Sequence, residues 1–310
     1  MGTLKRLQRR GLLSREEILC ETAARSGQLE ELKALRADGC PWNTRTCSNA
    51  AHGGHLEMIQ WARANGCPWD EYTCPLAAKG EHLEVLQWLH TNGCPWNEDT
   101  CTGAAMGGHF EVLQWARANG RPWENRTCLN AAHYGHLEIL QWLHANGCPW
   151  NDRTCMYAAK GGYLEVLQWA RANGCPWNKC TCSMAANGGH LEVLQWAHDN
   201  GCPLDALTCK YAAMGGHLEM MQWLRANGCP WDHRTCTNAA EGGHLEVLQW
   251  LHARTDARGT SLRARMRRWA GTSRCCSGRS RTTGTDQVST IGCHRVPLLG
   301  TRARCPLPPV

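Results

Sequence analysis

Cysteine offers this chain the most chemistry: there are 21, and most fall into two columns. One column runs Cys20, Cys47, Cys74, Cys101, Cys128, Cys155, Cys182, Cys209 and Cys236. The other runs Cys40, Cys67, Cys94, Cys148, Cys175, Cys202 and Cys229. Thiolates bind soft metals and pair as disulfides, so these columns raise a thiol-rich metal or redox module. Histidine forms a third column at His55, His82, His109, His136, His190, His217 and His244, and imidazole serves both as metal ligand and as general base. Distance argues against pairing within a column. Equivalent residues of stacked helical units lie ~8–10 Å apart, a disulfide needs Cα atoms within about 7 Å, and one zinc ion cannot collect ligands across such gaps. Spacing leaves open a bridge between columns, such as Cys40 with Cys47. We read cysteine as a small buried apolar residue in a reduced compartment, with the metal or redox module as the alternative.

The histidine column has a plainer reading too. Tyr163 fills it in one copy, and a side chain repeated in nearly every copy solves a structural problem of every copy. That problem is a hydrogen bond between a helix start and an adjacent loop. No nucleophile elbow, phosphate loop or HExxH zinc motif occurs. No catalytic, cofactor-binding or metal residue is therefore assigned, and the chain is not expected to be an enzyme.

The columns exist because the chain repeats every 27 residues. Glycine falls at Gly39, Gly66, Gly93, Gly120, Gly147, Gly174, Gly201 and Gly228; tryptophan keeps the same step from Trp61 to Trp250. A period of this length means stacked supersecondary units sharing one elongated core. The unit from Thr73 to Asp99 predicts a short first helix opened by Thr73 as a cap and broken at Gly80. A second helix follows from about His82 to Asn92, stopped by Gly93 in a left-handed conformation. On that helix Leu83, Val85, Leu86, Trp88 and Leu89 cover more than half the circumference, as expected of a helix with neighbours on both sides. Pro95 then fixes a tight turn at Cys94-Pro95-Trp96-Asn97. A second tryptophan set lies in these turns (Trp42, Trp69, Trp96, Trp123, Trp150, Trp177, Trp231) and is expected to be half exposed. Leu204 and Arg121 interrupt the tryptophan and cysteine columns.

The combination Thr-Cys-x-x-Ala-Ala, Gly-His-Leu-Glu-Val-Leu and Asn-Gly-Cys-Pro-Trp-Asn resembles the ankyrin repeat over roughly Leu19 to Ala253, in nine copies. The resemblance implies an all-α, ankyrin-like α-solenoid of stacked helix-turn-helix repeats, and a protein-binding role. Each unit is six residues shorter than the 33 of an ankyrin repeat. The loss falls mostly where ankyrin proteins carry protruding fingers, so shortened fingers are expected.

Three segments follow: a leader at 1–18, the array at 19–253, and a tail at 254–310. The leader has Lys5, Arg6, Arg9, Arg10 and Arg15 among its first fifteen residues and no acid there. The first repeat is the more polar one and reads as an N-terminal cap, with Ser14 and Glu17 suited to a capping box. The basic, low-order tail reads as the next repeat translated out of frame. Shifting the codons for Thr255–Thr260 by one base permits Asn-Gly-Cys-Pro-Trp-Asp, and the same offset over Met266–Arg279 permits Gly-His-Leu-Glu-Val-Leu-Gln-Trp. Twelve arginines and two aspartates lie from Arg254 onward, so the net +6 of the whole chain leaves −4 for the rest. An acidic array lacks the electrostatic footprint of a nucleic-acid binder. No membrane segment is expected, and the array is taken as a cytoplasmic monomer, with the nucleus as the other compartment.

Recognition falls to the positions that vary. One variable column precedes each threonine: Arg45, Tyr72, Asp99, Arg126, Arg153, Cys180, Leu207 and Arg234. Another follows the paired alanines: His52, Lys79, Met106, His133, Lys160, Asn187, Met214 and Glu241. Mixed side chains along one side of a solenoid suit a protein or peptide partner. The function expected is an interaction scaffold; the alternatives are the thiol module and a degenerate copy that has lost its role.

Overall fold

The structure is a computed structural model that describes residues 15–231 and 233–255. The basic tail beyond residue 255, most of the leader and the Ser14 half of its capping box lie outside the described residues. The described residues form eighteen helices and no strand. First helices are α1 (Arg15–Ser26), α3 (Thr44–His52), α5 (Thr73–Lys79), α7 (Asp99–Gly107), α9 (Asn125–His133), α11 (Asp152–Gly161), α13 (Lys179–Gly188), α15 (Ala206–Gly215) and α17 (His233–Glu241). Second helices are α2 (Leu29–Ala37), α4 (Leu56–Ala64), α6 (Leu83–Thr91), α8 (Phe110–Ala118), α10 (Leu137–Ala145), α12 (Leu164–Ala172), α14 (Leu191–Asp199), α16 (Leu218–Ala226) and α18 (Leu245–Thr255).

Side-chain size decides how the helices stack. First helices carry small residues on their buried sides, such as Thr46, Cys47, Ala50 and Ala51 of α3. Each packs directly on the first helix of the next repeat. Second helices carry the bulk: Val85, Leu86 and Leu89 of α6 are at most 2% exposed, as are their counterparts Val166, Leu167 and Ala170 of α12. Leu245 of α18 is 58% exposed, whereas its counterparts Leu83 and Leu218 are half-buried.

The helix caps correct one expectation. The opening threonine does not cap its helix; it sits inside the first turn and is buried, as Thr73 and Thr208 are. At α3, α11, α13 and α15 the asparagine or aspartate of the preceding turn does the capping. Asn43 accepts from the Arg45 N–H at 2.9 Å, Asn151 from Arg153 at 3.0 Å and Asn178 from Cys180 at 2.8 Å. Asp205 and Thr208 form a capping box. The short Asx side chain, on extended backbone at Asn43, Asn151 and Asn178, reaches the first free N–H groups. Gly93 stops α6 in the left-handed conformation expected (φ 76).

Candidate interaction face

Residues 45 and 52 stand seven apart on α3, two turns of helix, so the two variable columns share one helix face. Arg45, Tyr72, Arg126, Arg153, Leu207 and Arg234 are exposed, while Asp99 and Cys180 are half-buried. In the second column Lys79, Met214 and Glu241 are exposed; His52, Met106, His133, Lys160 and Asn187 are half-buried. That second column is partly committed to the stack. His52 Nδ1 lies 3.3 Å from the Leu76 carbonyl and His133 Nδ1 lies 3.4 Å from the Tyr157 carbonyl, each in the next repeat. Within the first column Arg126 pairs with Asp99 at 3.2 Å across a repeat boundary.

Between the columns runs a third that the sequence reading passed over: Asn49, Leu76, Asn130, Tyr157, Met184 and Tyr211, all half-buried. Its signal was available, since these positions vary and lie four residues after the first column, on the same helix face. The three columns together divide by chemistry. Five of the six basic residues of the two variable columns lie between Arg45 and Lys160, whereas Met184, Leu207, Tyr211 and Met214 make an apolar stretch in the seventh and eighth repeats.

The constant columns serve the stack. His82 Nε2 lies 3.1 Å from the His52 carbonyl, and His55, His109, His136 and His244 reach the carbonyls of Arg25, Lys79, Met106 and Met214 at 3.0–3.3 Å. Each ring thus ties a second-helix start to the end of the first helix of the preceding repeat. The glycines beneath leave room for it: a Cβ on Gly54 would come within 2.5 Å of the His82 ring. Burial holds the imidazoles of His82 and His217 below their ordinary range, and neighbouring histidines of the ladder push the same way.

Each turn tryptophan is clamped. Arg63 stands 3.8 Å over the Trp69 ring, which meets Trp88 of the next repeat edge-on at 6.2 Å. His144, Trp150 and Trp169 repeat the arrangement at 4.0 and 5.7 Å. These tryptophans are half-buried, with a face occupied from within the array. Where Leu204 replaces tryptophan, His198 contacts Trp223 alone at 5.4 Å, and its Nδ1 is buried with no hydrogen-bond partner among the described residues.

Cysteines meet between columns, yet not as Cys40 with Cys47. In six repeats the opening cysteine touches the cysteine twenty residues on, in the closing loop of its own repeat; Cys209 and Cys229 have Sγ atoms 2.9 Å apart. The closing loop folds back under its own first helix, which sequence spacing did not reveal. Closing-loop thiols also donate to the preceding loop, Cys202 to the Asn178 carbonyl at 3.2 Å and Cys229 to the Asp205 carbonyl at 3.3 Å. Cys101, whose closing counterpart is Arg121, has its thiol pushed up to about 12 by burial. Among the described residues no three or more His, Cys, Asp or Glu side chains gather as a metal site. No described helix is long and apolar enough to cross a membrane.

A family model described as ankyrin repeats (many copies) matches residues 128–171, 182–225 and 209–252. No match was found among the curated proteins. Among solved structures, the crystal structure of the human ASB11 ankyrin repeat domain is similar at 20% identity and a TM-score of 0.40, over 51% of this chain and 84% of that one.

Proposed function

The array belongs to the ankyrin-repeat family, whose repeats are generally protein–protein interaction modules, and from that premise we propose that this protein is a non-enzymatic scaffold for a protein or peptide laid along its first helices. The observation that carries the reading is the division of labour among columns. Constant residues are spent on caps, ladders and core, whereas the residues that vary share one helix face, on which nine of the sixteen are exposed. Six of the sixteen variable positions are basic (Arg45, Lys79, Arg126, Arg153, Lys160, Arg234) and two are acidic (Asp99, Glu241), on an array that is acidic as a whole. Opposite charge steers association and selects partners, so the favoured partner is an acidic segment. The apolar stretch around Leu207 and Met214 would anchor a hydrophobic residue next to it. We assign the scaffold to the cytoplasm, as a monomer without nucleic-acid, membrane or cofactor binding.

Panning a displayed random-peptide library on the immobilised protein tests this. Acidic peptides carrying an apolar residue should be enriched, and their binding should fall at least tenfold in Arg126→Ala/Arg153→Ala and in Leu207→Ala/Met214→Ala. The melting temperature should stay within about a degree of the parent, because exposed substitutions shift stability by about 0.5 kcal/mol or less. Enrichment indifferent to both double substitutions sinks the assignment of the face.

A further inference from the structure

Six first helices (α3, α5, α9, α11, α13 and α15) hold a cysteine whose side chain meets a second cysteine when the chain returns through the closing loop. Besides Cys209 with Cys229, the side chains are in contact at Cys47 and Cys67, Cys74 and Cys94, Cys128 and Cys148, Cys155 and Cys175, and Cys182 and Cys202. All twelve are at most 4% exposed. Packing alone would be satisfied by alanine, which fills the adjacent buried positions such as Ala50 and Ala51; twelve paired thiols carry a reactivity that packing does not need. Repeat four supplies an internal contrast. Arg121 stands where the second thiol would be, and its guanidinium turns away to lie 4.4 Å over the Trp96 ring, leaving Cys101 without that partner.

We propose that these six thiol pairs are disulfide sites, closed within each repeat by a peroxide, so that oxidation staples a first helix to its own closing loop. The inference does not depend on the interaction face. One thiolate of a pair attacks a peroxide oxygen; the O–O bond breaks, and the sulfur becomes a sulfenic acid as one water leaves. The neighbouring thiolate attacks that sulfur and expels hydroxide, which takes up the remaining proton as a second water. Two thiols and one hydrogen peroxide thus give one disulfide and two waters. A disulfide needs its sulfur atoms at about 2.0 Å, and in repeat eight they start at 2.9 Å, so the bond requires little movement of helix or loop. Burial makes loop opening the gate: the closing loop must lift for peroxide to enter, and reclosing brings the partner thiol onto the sulfenic acid before it oxidises further. The bond also withdraws the Cys202 and Cys229 sulfhydryls from the carbonyls of Asn178 and Asp205. Oxidation therefore exchanges a weak link between consecutive loops for a covalent one inside a repeat.

The experiment uses the full chain, fully reduced, treated while folded with hydrogen peroxide, quenched with an alkylating agent and digested without reductant for mass spectrometry. Six linkages are expected, each between cysteines twenty apart, with Cys101 alkylated. The melting temperature should rise on oxidation and return with dithiothreitol. Cys229→Ser should leave Cys209 alkylated and the other five linkages intact. Should that variant not fold, Arg121→Cys gives the opposite reading, a seventh linkage to Cys101. Peroxide-treated folded protein whose thiols all remain alkylatable overturns the proposal. So do linkages that join different repeats as often as one, or sulfinic acids in place of disulfides.

Discussion

Ser183 Oγ lies 3.2 Å from Thr208 Oγ1, joining α13 to α15 through two buried hydroxyls. Ser48 with Thr73 and Thr102 with Thr127 make the same link at 3.1 and 3.3 Å. The opening threonine thus looks back to the residue just after the cysteine of the preceding repeat. Where that residue is Pro75 or Met156, the Oγ1 of Thr100 or Thr181 is buried with no hydrogen-bond partner among the described residues. A stranded buried hydroxyl costs about 1–3 kcal/mol, and a satisfied one contributes about 1 kcal/mol.

The same substitution should therefore have opposite signs at two equivalent positions. Thr181→Val removes an unsatisfied group and should leave stability unchanged or raise it by about 1 kcal/mol. Thr208→Val breaks the bond to Ser183 and the capping box with Asp205, and should cost about 1–2 kcal/mol. Urea titration of both variants checks this; equal losses would mean that the hydroxyl ladder carries no energy.

The histidine ladder predicts a pH dependence. Burial lowers the folded-state pKa of His82 and His217 below the 6.5 of the free side chain. The unfolded chain then binds more protons as pH falls, so the contribution is fully present above pH 6.5 and is lost as pH drops below it toward the depressed folded value. The melting temperature should be flat from pH 7 to 8 and fall between 6.5 and about 5, above the range where free carboxylates titrate. His82→Tyr copies the residue that Tyr163 already supplies in repeat six and should reduce that slope. A slope identical in the parent and this variant would remove His82 from the account.

Leu204 marks a gap in the aromatic stack. Leu204→Trp would place a ring against His198 and Trp223, as Trp150 lies against His144 and Trp169. An aromatic pair contributes about 0.5–1.5 kcal/mol beyond its buried area, so the melting temperature should rise by a few degrees. A fall would show that the loop after Cys202 has settled around leucine and cannot admit the larger ring.

Much of this architecture could be read from sequence because each repeat faces the same local problem and answers it with the same residues. The 27-residue period, the apolar face of the second helix and the left-handed stop at Gly93 depend on neighbours within one unit. They follow from backbone preference and side-chain hydrophobicity alone. The placing of the two variable columns on one helix face follows equally from their spacing of seven.

Tertiary structure decided the partnerships, because those depend on where one repeat sits against the next. Spacing left open a bridge between columns such as Cys40 with Cys47, and the loop carries Cys67 back beneath α3 to meet Cys47. Thr73 looked like a cap because hydroxyls commonly cap helices; it sits instead inside the first turn of α5 and turns inward to a hydroxyl 25 residues away. His82 reaches a carbonyl 30 residues back, farther than a repeat length. A sequence pattern fixes which residues recur, but a hydrogen bond or a thiol contact is set by distances of 3–4 Å that only packing between repeats determines.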